Sequence, residues 1–233
     1  MMPEERIPVY FMPGMAASPK IFEYIELPDN QFEMYYLEWL LPLKNETIGD
    51  YAKRMISEIK HENIVLIGVS FGGVLVQEMC KHIKVRKLII VSSVKLMREL
   101  PKKMLLAKTT MAYKLLPTQL VSNIELLAKY AFGGNVTKRL ELYKKYLSVT
   151  DSGYLSWAIK EMVCWKQETY QPDIIHIHGD IDAVFPIKNI SNCIIIKGGS
   201  HIMIINKYKW FNENLPRIIL DNDAKFLTLD KTY

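Results

Sequence analysis

The chain has 233 residues, 49% of them hydrophobic, and a formal net charge of +5 at pH 7. That is enough apolar material for one two-sided α/β core. It holds no apolar run approaching ~18 residues, the length that would suggest a membrane span, and its opening Met1-Met2-Pro3-Glu4-Glu5-Arg6 lacks the basic-then-apolar pattern of a leader. Cys80, Cys164 and Cys193 are odd in number and scattered, which reads as reduced thiols of a cytoplasmic protein rather than a disulfide framework. No recognition motif or aromatic-basic interleaving accompanies the positive charge, so nucleic acid is not an expected partner.

Strand and helix signals alternate along the chain, the pattern of a mostly parallel sheet flanked by helices. Strands are expected near 7–12 and 32–37, the first running into the Pro13-Gly14 turn. A helix near 47–60 opens on the capping-box pattern Thr47-x-x-Asp50 and presents Ile48, Tyr51, Met55 and Ile59 to one face. Residues 64–69 form an apolar strand that enters Gly68-Val69-Ser70-Phe71-Gly72, after which Phe71, Val74, Leu75 and Met79 recur at helical spacing. A strand, a tight turn and a helix in that order lift the Ser70 hydroxyl above the sheet edge and aim free helix N–H groups at any charge developing beside it. A Gly-rich turn that holds a phosphate, or one that merely packs, is the alternative at this point.

Another strand is expected near 87–92. About 80 residues without strand signals follow, carrying short helical patterns such as Leu105-Leu106, Leu115-Leu116, Leu126-Leu127 and Tyr154, Trp157, Ile159, Met162. Between Lys95 and Lys145 stand eleven Lys or Arg against three acids, Glu99, Glu125 and Glu141. Such a basic stretch could steer an anionic substrate or touch anionic lipid, and it could equally be a solvated helical face. Strands near 174–178 and 192–197 complete the sheet. The first ends in Gly179-Asp180-Ile181-Asp182 and the second in Gly198-Gly199-Ser200-His201, and a helix is expected from about Ile204 to Leu215. An acid and a base thus follow Ser70 at strand ends, in the order a serine nucleophile uses.

The motifs Gly68-Val-Ser-Phe-Gly72, His178-Gly-Asp-Ile-Asp182 with Pro186, and Gly198-Gly-Ser-His201 together resemble the α/β-hydrolase superfamily over almost the whole chain. The resemblance implies an α/β-hydrolase fold with a helical cap insertion, residues 1–94 and 171–233 forming the core and 95–170 the cap. It implies a triad of Ser70, Asp182 and His201, in which His201 accepts the Ser70 proton and Asp182 fixes the imidazole. The family pattern sets the acid four residues before a proline, which selects Asp182; Asp180 reads as a turn-capping residue. The oxyanion donors implied are the backbone N–H groups of Phe71 and Met15, the latter from a loop with Pro13-Gly14 where many relatives have His-Gly.

The opening antiparallel strands of larger relatives are not expected, and the nineteen positions from Asp182 to His201 leave little room for a full helix. A cap would supply an apolar pocket for an acyl or alkyl group, with Trp39, Trp157 and Trp165 as pocket candidates. No cofactor is implied. His176 and His178 share one face of a strand but lack a third ligand at a recognisable spacing, so no metal is expected; His178 is read as fixing the Asp182 loop, and His61 and His82 as solvated helix ends. The resulting expectation is a serine hydrolase that cleaves a small-molecule carboxylic ester. A thioesterase uses the same intermediate, and a non-catalytic binding protein on the same fold is the alternative from another class.

Overall fold

A computed structural model describes residues 6–111, 145–149 and 151–221 of the chain. Six strands form one sheet: β1 (Ile7–Met12), β2 (Phe32–Tyr36), β3 (Val65–Val69), β4 (Lys87–Val91), β5 (Ile175–Gly179) and β6 (Ile194–Ile196). They lie in the order β2-β1-β3-β4-β5-β6 and every neighbouring pair is parallel. The chain steps outward from β1 to β2, then returns past β1 to β3 and continues the other way. The crevice between the carboxyl ends of β1 and β3 is therefore the switch point, where open α/β sheets place their ligands.

Both faces of the sheet are covered, and the strands sort their side chains by the two-residue period. Tyr10, Met12, Leu66, Leu88 and Ile90 face one core, with α1 (Ile48–Met55) and α2 (Phe71–Met79). Val9, Phe11, Val65, Ile67, Ile89, Val91 and Ile177 face the other, with Phe22 and two helices that follow β6, α5 (Met203–Asn206) and α6 (Tyr208–Leu220). All nine residues of α2 are buried, so the helix that starts at Ser70 lies inside the protein.

Within the long insertion, α3 (Lys102–Thr109) buries none of its residues. The helix α4 (Ser152–Cys164) is different: Tyr154, Leu155, Trp157, Ala158 and Met162 join the same core as α1 and α2. Polar bonds anchor it. The buried Glu161 carboxylate accepts from Ile48 N at the start of α1 (3.0 Å), Trp157 Nε1 donates to Glu46 O (2.8 Å), and just beyond α4 Trp165 Nε1 donates to Glu78 Oε1 (2.7 Å). The expected patterns at 115–116 and 126–127 lie outside the described residues.

Two helices differ from the expectation. The helix expected to Lys60 is α-helical only to Met55, then tightens to a 3-10 turn at 56–58 before Asn63 takes φ 50°. The final helix is split at Lys207 (φ −116°, ψ 22°) and passes through Pro216 to Leu220, because Ile218 and Ile219 are buried and hold the added turn. Between β5 and β6 only a 3-10 turn at Ile187–Asn189 intervenes, as the short spacing indicates.

That short link makes the two loops beyond β5 and β6 cross closely. A Cβ placed on Gly179 would lie 2.1 Å from Gly199 O, and Ile181 N donates to the same carbonyl (3.1 Å). Gly179→Ala should therefore lower stability by about 1–3 kcal/mol, since the obstructing atom is backbone. A thermal or denaturant melt of the variant against the parent chain checks it, and an unchanged midpoint contradicts the packing described.

Candidate active site

Ser70 sits between β3 and α2 with φ 53° and ψ −121°, a conformation costly for a residue with a side chain. Its surroundings hold it there. Ser70 N donates to Val91 O (2.9 Å), while Ser70 O accepts from Ser93 Oγ (2.7 Å) and Gly73 N (2.9 Å). The sequence requires small residues on both sides of the turn. A Cβ on Gly68 would meet Gly72 O at 2.5 Å, and one on Gly72 would meet Pro13 O at 2.2 Å. The second figure also shows how tightly the loop after β1 approaches the turn.

His201 bridges the serine to an acid. Its Nε2 lies 2.9 Å from Ser70 Oγ and its Nδ1 lies 2.9 Å from Asp182 Oδ2. A carboxylate only accepts, so Nδ1 carries the proton and the Nε2 lone pair faces the serine hydroxyl. Asp182 is 4% exposed, and both its oxygens are used: Oδ1 accepts from Val184 N (2.8 Å) and Phe185 N (2.9 Å), Oδ2 from His201. Burial by itself would raise the Asp182 carboxyl, but the charge and hydrogen bond of His201, aided by Phe185 N–H and His178, outweigh it and hold the acid below its usual value. Phe185 packs its ring edge-on to the imidazole, centroids 5.4 Å apart.

Asp180 does not take the capping role expected of it. Its Oδ1 is buried without a hydrogen-bond partner among the described residues, and Asp182 itself caps the turn through Oδ1. The roles differ because the turn's free N–H groups belong to Val184 and Phe185, which face the later carboxylate.

Behind the acid lies a buried histidine pair. His178 Nε2 donates to Phe185 O (2.8 Å) and stands 3.6 Å from Asp182 Oδ2, so His178 braces the loop as its position before Gly179 suggests. That leaves His178 Nδ1 as the acceptor for His176 Nε2–H, 3.1 Å away, and His176 Nδ1 without a hydrogen-bond partner among the described residues. His61 is exposed, as expected, but it is also bonded: Tyr10 OH lies 2.7 Å from its Nδ1 and Tyr35 OH 3.2 Å from its Nε2, tying β1 and β2 to the turn before β3. His82 is exposed in the turn after α2.

Beside Ser70 runs the loop after β1. A Cβ on Gly14 would lie 3.4 Å from Ser70 Cβ, and neither Met15 N nor Phe71 N is bonded to another described residue. The segment 145–149 lies along this loop: Ser18 N donates to Tyr146 O (2.8 Å), and Ser148 N to Ala16 O (2.9 Å). Sequence reasoning missed this contact, since the paired residues are about 130 positions apart and neither stretch carries a distinctive strand pattern.

Of the described residues in the basic stretch, Arg98, Lys102, Lys103 and Lys145 are exposed, whereas Lys95 is interior. Lys95 is 1% exposed, its Nζ donating to Ser191 O (2.6 Å) and Asn192 O (2.9 Å), and Lys145 pairs with Glu23. Lys114, Lys129, Lys138, Arg139 and Lys144 lie outside the described residues. The pocket candidates Trp39, Trp157 and Trp165 are at most 8% exposed and spend their indole N–H groups on protein acceptors. A cleft of about 510 Å³ lined by Ile56, Ile59, His61 and Ile64 opens at the other end of the sheet and touches none of the residues around Ser70. Among the described residues no group of three or more His, Cys, Asp or Glu is placed to hold a metal, and no helix is long and apolar enough to cross a membrane.

This sheet order, with a serine turn after β3, an acid after β5 and a histidine after β6, is the α/β-hydrolase fold, and solved structures agree. The chain is similar to a hydrolase from Pseudomonas aeruginosa (TM-score 0.70, 11% identity, covering 94% of this chain and 91% of that one). It is also similar to an esterase from Exiguobacterium antarcticum (0.66, 18%, 92% and 92%) and to a bromoperoxidase from Bacillus anthracis (0.67, 17%, 93% and 93%). Neither a family model nor a curated protein matches the sequence. At these identities the likeness concerns the fold, and the chemistry rests on the site.

The histidine pair generates a pH prediction. Burial, then the neighbouring His178 and Lys95, hold His176 well below the usual imidazole value, and burial lowers His178 despite Asp182. Both rings take protons less readily folded than unfolded, so their contribution is complete above about pH 6.5 and is lost as pH falls below it. The melting temperature should fall between pH 7 and pH 5. His176→Gln, which keeps an N–H for His178 Nδ1, should flatten that slope in scans across the range; an unaltered slope contradicts the assignment.

Proposed function

We propose that the protein is a serine hydrolase that cleaves a small-molecule carboxylic ester through an acyl-enzyme on Ser70. The observation that carries this reading is the continuous chain from Ser70 Oγ through both nitrogens of His201 to the buried Asp182, built on a serine held at positive φ. Neighbours named as esterases favour an ester over an amide. A thioester would pass through the same intermediate.

In this mechanism the Ser70 oxygen attacks the carbonyl carbon while His201 Nε2 takes the hydroxyl proton. The carbonyl oxygen becomes an oxyanion, received by the N–H groups of Met15 and Phe71. As the tetrahedral intermediate collapses, the imidazolium returns its proton to the departing alcohol, and the acyl group stays on Ser70. Water then attacks the acyl-enzyme with His201 again as the base, and proton return to Ser70 releases the acid. Asp182 stays ionised throughout and stabilises the imidazolium. The 2.9 Å separations on either side of the His201 ring support this order of proton transfers.

In this reading residues 1–94 and 171–233 supply the catalytic core, and 95–170 the insertion that borders the substrate, with α4 as its anchor in the core. The three free cysteines fit a reducing compartment, and we place the protein in the cytoplasm.

A fluorophosphonate probe should label Ser70 and no other serine, which peptide mapping of the labelled protein decides; modification at Ser18 or Ser200, or none in folded protein, would sink the reading. Ser70→Ala and His201→Ala should each reduce kcat by roughly 10⁴-fold with similar residual rates, because the linked groups act as a unit. Asp182→Asn should be severe and Asp180→Asn mild in the same p-nitrophenyl ester assay. The reverse ranking would move the acid to Asp180.

A further inference from the structure

The loop that supplies Met15 has to aim one N–H group, and a peptide group cannot be aimed by its own side chain. The Met15 N–H and the Gly14 carbonyl are opposite ends of one planar amide, and the described chain contains no cis peptide bond. Whatever fixes the Gly14 oxygen therefore fixes the direction of the Met15 N–H. Two donors meet that oxygen: Ala17 N, from within the loop at 3.0 Å, and Trp39 Nε1, from outside it at 2.8 Å. An N–H donated to the carbonyl also polarises the amide, which strengthens the N–H at its other end as a donor.

The same indole packs on the side chain of the residue that carries the second amide. Trp39 stacks on the Phe71 ring with centroids 5.3 Å apart and planes at 12°, and Phe71 is the residue whose own N–H begins α2. One side chain thus holds the Gly14–Met15 peptide by a hydrogen bond and the Phe71 residue by ring contact. Trp39 is 8% exposed, and its ring is backed by Tyr154, 5.5 Å away, whose hydroxyl accepts from Ala16 N (3.2 Å) on the far side of Met15. Met15 accordingly lies between two peptides, each clamped by an aromatic residue from a different part of the chain.

We propose that Trp39 is the positioning residue of the oxyanion hole, fixing the direction of the Met15 N–H through Gly14 O and its spacing from Phe71 through the stacked rings. It touches no reacting atom and acts through the two amides. The proposal rests on the serine-hydrolase reading above and adds to it a residue that the sequence motifs leave out.

The test is Trp39→Phe, which retains a ring to stack on Phe71 and removes the indole N–H; Gly14 O keeps its bond from Ala17, so the loop retains its turn. With a p-nitrophenyl ester, kcat should fall about tenfold, less than the loss of a whole oxyanion donor, while KM stays within about twofold. The inhibition constant of a trifluoromethyl ketone, which forms an oxyanion on the serine, should rise by the same factor as kcat/KM falls. If the Phe variant does not fold, site-specific benzothienylalanine at position 39 replaces the N–H with sulfur at nearly constant shape and should give the same result. Unchanged kcat, or a loss carried by KM with the ketone unaffected, overturns the proposal. Wild-type protein that neither takes a fluorophosphonate nor turns over the ester overturns the proposed function, and this inference with it; a wild type that does both, beside a variant of equal kcat, overturns this inference alone.

Discussion

The close approach of the β3–α2 turn to the loop after β1 is the constraint on which the rest of the site depends. At Gly72 the two backbones leave no space for a Cβ, and the serine between Gly68 and Gly72 is left at φ 53°. Such a conformation persists only where its surroundings over-determine it. Here Val91, Ser93 and Gly73 bond the serine backbone, and the fully buried α2 prevents the turn from relaxing outward. The same approach puts Gly14 beside Ser70, so the serine and the loop amides next to it come from a single packing event at the switch point of the sheet.

The acid and base sides of the site are organised by a second close crossing, Gly179 on Gly199. It brings the ends of β5 and β6, and with them Asp182 and His201, together without an intervening helix. Asp182 is braced by Val184, Phe185 and His178, and His178 in turn by His176. Burying two imidazoles costs stability in acid, where an unfolded chain would protonate them, and in return both remain hydrogen-bond partners of fixed tautomer. The orphaned Nδ1 of His176 marks where this network ends.

Polar bonds also explain why the insertion is partly a core element. Glu161 and Trp157 satisfy Ile48 N and Glu46 O, backbone groups at and just before the start of α1, while Trp165 Nε1 shares Glu78 Oε1 with Lys81. Through Tyr154 and the 145–149 segment, the same stretch reaches the loop after β1. Changes in the insertion can thus be felt at the amides beside Ser70 without any contact to a reacting atom.

Much of this was legible in the chain because it is local. The apolar runs that become β1, β3, β4 and β5, the Gly-flanked Ser70, and the Asp182 and His201 positions at strand ends are set by short-range patterns of two and 3.6 residues and by turn chemistry. Tertiary structure alone decided which side chains serve those positions: that Asp182 rather than Asp180 caps its own turn, that His61 ties two tyrosines, that Lys95 is interior, and that Trp39 bonds Gly14. Each of these is a choice of partner that periodicity does not encode, decided by which donor and acceptor come within about 3 Å once the sheet is covered. Periodicity tells a residue which face it occupies; only packing chooses its partner.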